Sequence, residues 1–105
     1  MMLILENCEG FEWDGGNAHK NWHLNRVTDE ECEAIFYNLP LIVAFDKLRK
    51  STEKRFYTLG RTDSDGYLYV AFTIRNSLIR VISAREMNKS EERKYAEKIK
   101  RDTGI

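Results

Sequence analysis

The segment 67–85, YLYVAFTIRNSLIRVISAR, constrains the fold more than any other part of the sequence. From Tyr67 to Arg75, apolar residues alternate with others at the period of two expected of a half-buried β-strand. Asparagine tolerates the positive φ that two-residue hairpin turns require, and Asn76 is followed by Ser77, where glycine is preferred. The segment therefore predicts a β-hairpin that turns at Asn76 and Ser77.

A two-residue turn fixes the predicted pairing of the hairpin strands. Directly opposed residues of an antiparallel pair share a face, so the pairing predicts one core face and one opposite face. The core-face pairs are Ile74 with Ile79, Phe72 with Val81 and Val70 with Ser83, and the opposite-face pairs are Thr73 with Arg80, Ala71 with Ile82 and Tyr69 with Ala84. A one-residue slip would expose Ile79 and Val81, so the hydrophobic pattern favours this register.

Composition indicates one globular domain over residues 1–105, since 42% of the residues are hydrophobic and 32% are charged. The 17 basic and 17 acidic residues cancel, so any site for a polyanion must come from local clustering of Lys and Arg. No apolar run approaches the roughly 20 residues of a membrane span, and the opening MMLILENCEG lacks a basic signal-peptide start. We therefore expect a cytoplasmic protein that does not associate with a membrane.

Two helices are predicted in the first half of the chain. Asp14 is a suitable N-cap for a first helix through NAHKNWHL, with a loose apolar stripe formed by Ala18, Trp22 and Leu24. The segment from Thr28 to Glu31 is a capping box that opens a second helix ending near Pro40. The residues predicted to face inward from it are Cys32, Ile35 and Phe36. Cys8 and Cys32 are too few for a disulfide framework, so Cys32 is interpreted as a small buried hydrophobe.

Further strands are predicted at Leu41–Phe45 and Arg55–Arg61, with short extended segments at Leu3–Leu5 and Phe11–Trp13. An exposed basic loop is predicted over Asp46–Thr52. A four-residue loop before the hairpin would place Tyr57 and Leu59 on the core face, and Arg61 beside Leu68 and close to Arg85.

Asn88 is the predicted N-cap of a last helix, whose thin apolar stripe consists of Tyr95, Ala96 and Ile99. The predicted fold is α+β: two N-terminal helices, an antiparallel meander of about four strands and a C-terminal helix.

Several motifs in one order resemble the BrnT family, the ribonuclease toxins of BrnT/BrnA toxin–antitoxin pairs. They are FEWD at 11–14, KNW at 20–22, VTDEE at 27–31, RFYTLGRT at 55–62, FTIRNSLIRVISAR at 72–85, and ER with a tyrosine at 92–95. The sequence departs from many members at two places. Where they carry Lys-His after the first helix and His-Ser in the basic loop, this chain has Leu24-Asn25 and Lys50-Ser51.

The resemblance implies a compact RelE-like fold and cleavage of RNA that inhibits translation, with no cofactor. It also implies neutralisation by a BrnA-like DNA-binding antitoxin in a hetero-oligomer that reaches operator DNA only through the antitoxin. An alternative is a catalytically inactive relative that serves as a binding subunit of the repressor complex. The last helix and the strand at Leu41–Phe45 are the candidate surfaces for the antitoxin, since an exposed strand edge accepts another strand.

Metal-free RNA cleavage uses the 2′-hydroxyl as nucleophile and needs positive charge at the phosphate, a task that suits the bidentate guanidinium of arginine. The candidate catalytic residues are Arg61, Arg80 and Arg85 for the phosphate, with Glu53, Glu92 and Tyr95 as candidate acid or base. Tyr95 is equally suited to stack on a base or to anchor its helix. The candidate RNA-binding residues are Lys20, Arg49, Lys50 and Arg55. Structural ion pairs of Arg61 and Arg85 with Glu92 or Glu86 are the alternative.

His19 and His23 have the i, i+4 spacing that can chelate a metal on one face of a helix. Lys20 stands where the HExxH pattern of zinc proteases requires glutamate. Ordinary surface histidines are therefore the preferred interpretation, and no metal site is predicted.

Overall fold

A five-stranded sheet with the strand order β1-β5-β4-β3-β2 forms the centre of the fold. The computed structural model describes residues 5–46 and 53–102. The strands are β1 (Gly10–Phe11), β2 (Ile42–Phe45), β3 (Arg55–Arg61), β4 (Tyr67–Arg75) and β5 (Leu78–Glu86). Strands β2 to β5 form the predicted antiparallel meander, while β1 pairs with β5 in parallel. The α+β class is confirmed, but the sheet is mixed and has one strand more than predicted; likeness to RelE stays a prediction.

Three helices surround the sheet: α1 (Lys20–Asn25), α2 (Asp29–Ala34), which continues as a 3-10 turn (Ile35–Tyr37), and α3 (Lys89–Asp102). The predicted capping box of α2 is confirmed by bonds from Glu31 N to Thr28 Oγ1 at 3.0 Å and from Thr28 N to Glu31 Oε1 at 2.9 Å. Asn88 and Glu91 exchange the same two bonds at the start of α3. None of the helices in the described ranges is long and apolar enough to span a bilayer.

The main core lies between α2 and one face of the sheet, which we call the core face. Its buried side chains are Val27, Cys32, Ile35, Phe36, Leu68, Val70, Phe72, Ile79, Val81 and Ala84. Cys32 is a fully buried free thiol as predicted, and burial raises its pKa to about 12. A smaller cluster of Leu59, Met87 and Tyr95 lies under α3 on the opposite face, which we call the open face.

The hairpin turns at Asn76 and Ser77 as predicted, with φ values of 51° and 65°. The three predicted pairs nearest the turn, Ile74 with Ile79, Thr73 with Arg80 and Phe72 with Val81, are confirmed. A β-bulge then inserts Ile82, so the predicted pairs of Val70 with Ser83, Ala71 with Ile82 and Tyr69 with Ala84 are wrong. The observed pairs are Val70 with Ala84, Ala71 with Ser83 and Tyr69 with Arg85. The bulge buries Ala84 and directs Arg85 to the open face.

The loop before the hairpin is one residue longer than predicted, because Arg61 pairs with Tyr67. Thr62 Oγ1 accepts bonds from the backbone N–H groups of Ser64 at 3.3 Å and Gly66 at 2.8 Å, which stabilises this longer loop. A shift of one residue exchanges the faces of a strand. Tyr57 and Leu59 therefore lie on the open face, and their predicted place on the core face is wrong.

Helix α1 is shorter than predicted and buries a different side. It begins at Lys20, not after Asp14, and Trp22 and Leu24 of the predicted apolar stripe are 42% and 67% exposed. The buried side carries Asn21, whose Oδ1 accepts a bond from Ala84 N at 2.9 Å. The apolar stripe predicted the wrong buried side of the helix, because Asn21 is buried to accept this hydrogen bond from β5. The burial of this residue therefore follows hydrogen bonding and not hydropathy.

Some predictions concern residues that the structure does not describe. The predicted basic loop Asp46–Thr52, except for Asp46, falls within residues 47–52, and most of the extended segment Leu3–Leu5 precedes residue 5. The prediction that Arg49 and Lys50 bind RNA therefore lies outside the described residues.

Candidate functional site

The open face of β3, β4 and β5 is partly covered by α3, which packs on it through Tyr95 and Leu59. Beyond α3, positively charged side chains line a groove of about 170 Å³ that we call the cationic groove. Its cations are Lys20, Arg55, Arg75 and Arg80. Thr73, which is buried, and Glu53 also line it. The fold thus brings together four of the residues predicted from sequence, Glu53 among them, and adds Arg75.

Sequence reasoning missed Arg75, although a signal was present. Arg75 is two residues beyond Thr73 in β4, and the hairpin register had already placed Thr73 on the face of Arg80. Because side chains two residues apart in a strand share a face, Arg75 belongs to the same surface.

Arg80 is held by two carboxylates. Its Nη1 lies 3.0 Å from Glu12 Oε1 and 2.9 Å from Asp14 Oδ2, and its Nη2 lies 3.0 Å from Asp14 Oδ1. The Arg80 hydrogen bonds, followed by the bond from Gly16 N, hold the pKa of Asp14 below its ordinary value. A Cβ at position 16 would lie 2.9 Å from Arg80 Nη2, so Gly16 leaves the space that the guanidinium occupies. The guanidinium is therefore fixed in orientation, and its positive charge is paired with two carboxylates.

Arg75 and Glu53 form a second bidentate pair at the rim of the groove. Arg75 Nε lies 2.6 Å from Glu53 Oε1, and Nη2 lies 2.9 Å from Oε2. The hydrogen bond from Arg75 lowers the pKa of Glu53, so this carboxylate is ionised at neutral pH. The charge of Arg55 lowers the pKa of Glu53 further.

Three asparagines spaced by four residues place Lys20 at the groove. Asn17 Nδ2 donates to Val81 O at 3.1 Å, Asn21 accepts from Ala84 N, and Asn25 Nδ2 donates to Ala84 O at 2.9 Å. These bonds fix the segment 17–25 along β5, whose pairing with β1 stops at Ile79.

Lys20 Nζ donates to the carbonyl of Ile82, the inserted residue of the bulge, at 3.2 Å. The bulge thereby supplies the acceptor that directs the Lys20 ammonium to the groove. The sequence signal for this arrangement is the repeat Asn17, Asn21, Asn25, which the apolar stripe concealed.

Two stacked aromatic rings, each in contact with one cation, continue the open face beyond the groove. The rings of Tyr57 and Tyr69 stack with centroids 5.7 Å apart and an interplanar angle of 21°. The guanidinium carbon of Arg85 lies 4.1 Å from the Tyr69 centroid, and Lys94 Nζ lies 5.7 Å from the Tyr57 centroid. Arg85 also forms two bonds with Glu91, at 2.8 and 3.0 Å, so the ion pair expected for it exists with a different glutamate.

The remaining candidates lie away from the cationic groove. Tyr95 is buried, and its hydroxyl donates to Pro40 O, which makes it the anchor of α3. Glu92 lies beside Tyr95 in a separate depression. Arg61 lines another depression with Leu39 and Pro40. Arg61 pairs with Tyr67 and Arg85 pairs with Tyr69, so Arg61 does not lie beside Leu68 as predicted, and the two arginines are offset by two residues along β4.

The two histidines do not share a helix face as predicted, since His19 has a φ of 59° and precedes the first residue of α1. Its Nδ1 lies 3.6 Å from Asp29 Oδ2. Within residues 5–46 and 53–102, no group of three or more His, Cys, Asp or Glu side chains could hold a metal ion.

Comparison with protein families gives a match over residues 13–91, three-quarters of the chain, to the family described as ribonuclease toxin, BrnT, of type II toxin–antitoxin system. No curated protein matches the chain. The matched range contains the four described cations of the groove and ends within α3, before Glu92 and Tyr95.

Proposed function

Because the chain belongs to the BrnT family of ribonuclease toxins of type II toxin–antitoxin systems, we propose that it is a metal-independent endoribonuclease whose RNA substrate binds in the cationic groove. The observation that carries this proposal is the convergence of Lys20, Arg55, Arg75 and Arg80 on one open sheet face. Cations held on a rigid sheet suit the phosphate backbone of a polyanion. Cleavage of RNA in the cytoplasm would inhibit translation.

Positive charge at the scissile phosphate is the main contribution that the groove offers. Attack of the 2′-oxygen on phosphorus builds negative charge on the phosphate oxygens, and guanidinium groups stabilise that charge with paired hydrogen bonds. Arg80 is the best-oriented group, because Asp14 and Glu12 hold its guanidinium while its side chain remains 15% exposed. RNA binding replaces part of this carboxylate pairing by phosphate.

Glu53 is the proposed general base. It is ionised at neutral pH and lines the same groove as Arg55 and Arg80. In the proposed step the 2′-hydroxyl transfers its proton to Glu53 and its oxygen bonds to phosphorus, while the bond from phosphorus to the 5′-oxygen breaks. The departing 5′-oxygen takes a proton from solvent water, and the products are a 2′,3′-cyclic phosphate and a 5′-hydroxyl.

The partner proposed from the family is a BrnA-like antitoxin that forms a hetero-oligomer with the chain and links it to operator DNA. Strand β2 is the proposed docking edge, because it lies at the end of the sheet and exposes Val43 and Phe45. An extended antitoxin segment added to this edge would gain backbone hydrogen bonds.

The pairing of the arginines supports a second candidate, a catalytically inactive subunit of an antitoxin–operator complex. Arg75, Arg80 and Arg85 each carry a carboxylate partner at 3.0 Å or less. In this alternative the ion pairs are structural, and the family's two histidine positions, occupied here by Asn25 and Lys50, mark the lost activity.

The test is induced expression with growth and RNA integrity measured together, followed by incubation of purified protein with RNA. Arg80→Ala is the site variant. Arg61→Ala is the matched control, because Arg61 is an exposed arginine of the same sheet outside the groove. We expect growth arrest and RNA cleavage from the wild type and from Arg61→Ala. Arg80→Ala is expected to cleave on the order of a hundredfold more slowly while it remains folded.

Two other outcomes would redirect the interpretation. Loss of cleavage in Arg61→Ala but not in Arg80→Ala would move the site to the depression beside Pro40. Intact RNA and normal growth with folded wild type, together with antitoxin binding, would leave the inactive subunit as the function.

A further inference from the structure

A second cavity, of about 410 Å³, lies on the open face next to the cationic groove. It is lined by Asp46, Tyr57, Leu59, Tyr69, Ser90, Glu91 and Lys94. One wall is therefore aromatic and apolar, and the rim carries carboxylate, hydroxyl and ammonium groups. Few polar groups around an apolar, aromatic wall are typical of a site for a flat heterocycle.

The aromatic wall is held rigidly from behind. Tyr57 stacks on Tyr69, and the guanidinium of Arg85 lies on the far side of the Tyr69 ring. Arg85 is itself fixed by two hydrogen bonds to Glu91 at the start of α3. A platform whose parts are already immobilised loses little conformational entropy when a further ring is added to it.

Tyr69 covers one side of the Tyr57 ring, so a further ring would stack on the other side. Lys94 Nζ lies over it at 5.7 Å, near the outer limit of a cation–π contact. Lys94 is an exposed residue of α3 with a flexible stem, so an incoming ring can replace its ammonium over Tyr57. The displaced ammonium then remains at the rim of the cavity, where it can pair with a phosphate.

The spacing along β3 relates this cavity to the groove. Arg55 lines the groove, and Tyr57 is the next residue of β3 that faces the same side. Residues two apart in a strand are separated by roughly 6.6 Å. The two sites thus follow each other along one strand, as a phosphate and a neighbouring base follow each other in a single-stranded RNA.

We infer that this cavity binds one nucleobase of single-stranded RNA, which stacks on Tyr57 while its backbone passes through the cationic groove. Aromatic side chains commonly receive unstacked bases in this way. The inference rests on the proposed function and adds to it a base-binding site that would influence which nucleotide lies at the cleavage point.

The test measures binding by the full chain of a fluorescent 2′-O-methyl RNA hexamer, which lacks the nucleophilic hydroxyl. A set of hexamers carries one abasic residue at each position in turn. The variants are Tyr57→Leu and the control Tyr67→Leu, because Tyr67 is on the same face but outside the cavity. We expect one abasic position to weaken binding by the wild type roughly tenfold. Tyr57→Leu is expected to bind the intact hexamer more weakly than the wild type by that same factor, and to bind the hexamer with that abasic position as tightly as the wild type does.

Additive effects of Tyr57→Leu and the abasic residue would overturn the inference, as would failure of the wild type to bind. Should Tyr57→Leu not fold, Tyr57→Trp is expected to bind the intact hexamer more tightly without a gain for the abasic one; an equal change for both would overturn the inference. Non-additive effects of Tyr57→Leu and the abasic residue on binding, without cleavage of ordinary RNA, would refute the enzyme activity alone. Cleavage of ordinary RNA with additive effects on binding would refute the base site alone.

Discussion

Arg80 and Asp14 are joined by two hydrogen bonds of 2.9 and 3.0 Å, although 66 residues separate them in the chain. The same guanidinium that is best placed for a phosphate is thus already occupied by a carboxylate. In the proposed complex RNA would compete with Asp14 for Arg80, so the strength of this pair would limit RNA affinity.

Asp14→Asn is expected to raise RNA affinity on the order of threefold to tenfold at low salt, because the neutral amide competes less with phosphate. The amide oxygen can still accept the bond from Gly16 N that Asp14 Oδ1 now accepts at 2.8 Å. Binding of the uncleavable hexamer, measured over a range of salt concentrations, checks the prediction. Glu97→Gln is the control, since it removes one negative charge from an exposed position of α3. An equal gain in both variants would attribute the effect to net charge alone.

Asn21→Ala is expected to lower the free energy of unfolding by about 1–3 kcal/mol, because it leaves the buried N–H of Ala84 without an acceptor. Urea denaturation followed by circular dichroism measures the change. Asn25→Ala removes a similar bond from an exposed residue and should cost less than half as much. Equal costs for the two variants would contradict the role assigned to burial.

Ser77→Gly is expected to stabilise the protein by about 0.5–1 kcal/mol, because Ser77 has a φ of 65°, which glycine adopts without strain. Asn76→Gly should gain less, since asparagine already tolerates its φ of 51°. The midpoints of thermal unfolding compare the two. A lower midpoint for Ser77→Gly would show that the serine side chain contributes more than its backbone strain costs.

The buried thiol of Cys32 predicts a loss of stability in alkaline solution. Burial raises its pKa from 9.0 to about 12, so between these values the unfolded chain releases a proton that the folded chain retains. The free energy of unfolding should therefore fall as pH rises, by about 1.5 kcal/mol between pH 9 and about pH 10.5 from this group. Cys32→Ala lacks the contribution, so the difference between the two pH profiles measures it. Parallel profiles would contradict the prediction.

Local sequence signals predicted the parts of the fold that short-range chemistry determines. The capping box at Thr28 and the turn at Asn76 depend on neighbouring residues and are present as expected. The bulge at Ile82 could not be predicted from neighbouring residues, because the alternation of apolar and polar residues in β5 allows either Ser83 or Ala84 to face the core. The choice depends on bonds from the segment 17–25, which lies 60 residues earlier.

The candidate site was predictable to the extent that its residues share a strand face. Arg80 was assigned to the correct face because the register near the turn is determined by the turn itself. Tyr57 was assigned to the wrong face, because the loop before β4 has one residue more than predicted and is stabilised by Thr62. A shift of one residue exchanges the two faces of β3. The stacked pair of Tyr57 and Tyr69 was therefore invisible before the register of β3 was known.

The asparagine repeat along β5 has a consequence for how the sheet can associate. Backbone groups at the edge of a sheet invite pairing with another chain, which leads to aggregation unless the edge is blocked. Asn17, Asn21 and Asn25 occupy such groups at Val81 and Ala84 with side-chain amides. Among the described residues, this leaves β2 as the full-length edge strand that can pair with another chain. We therefore expect association through strand pairing at the β2 edge only. Pairing at a single edge can add one partner but cannot build an open-ended array of copies of the chain.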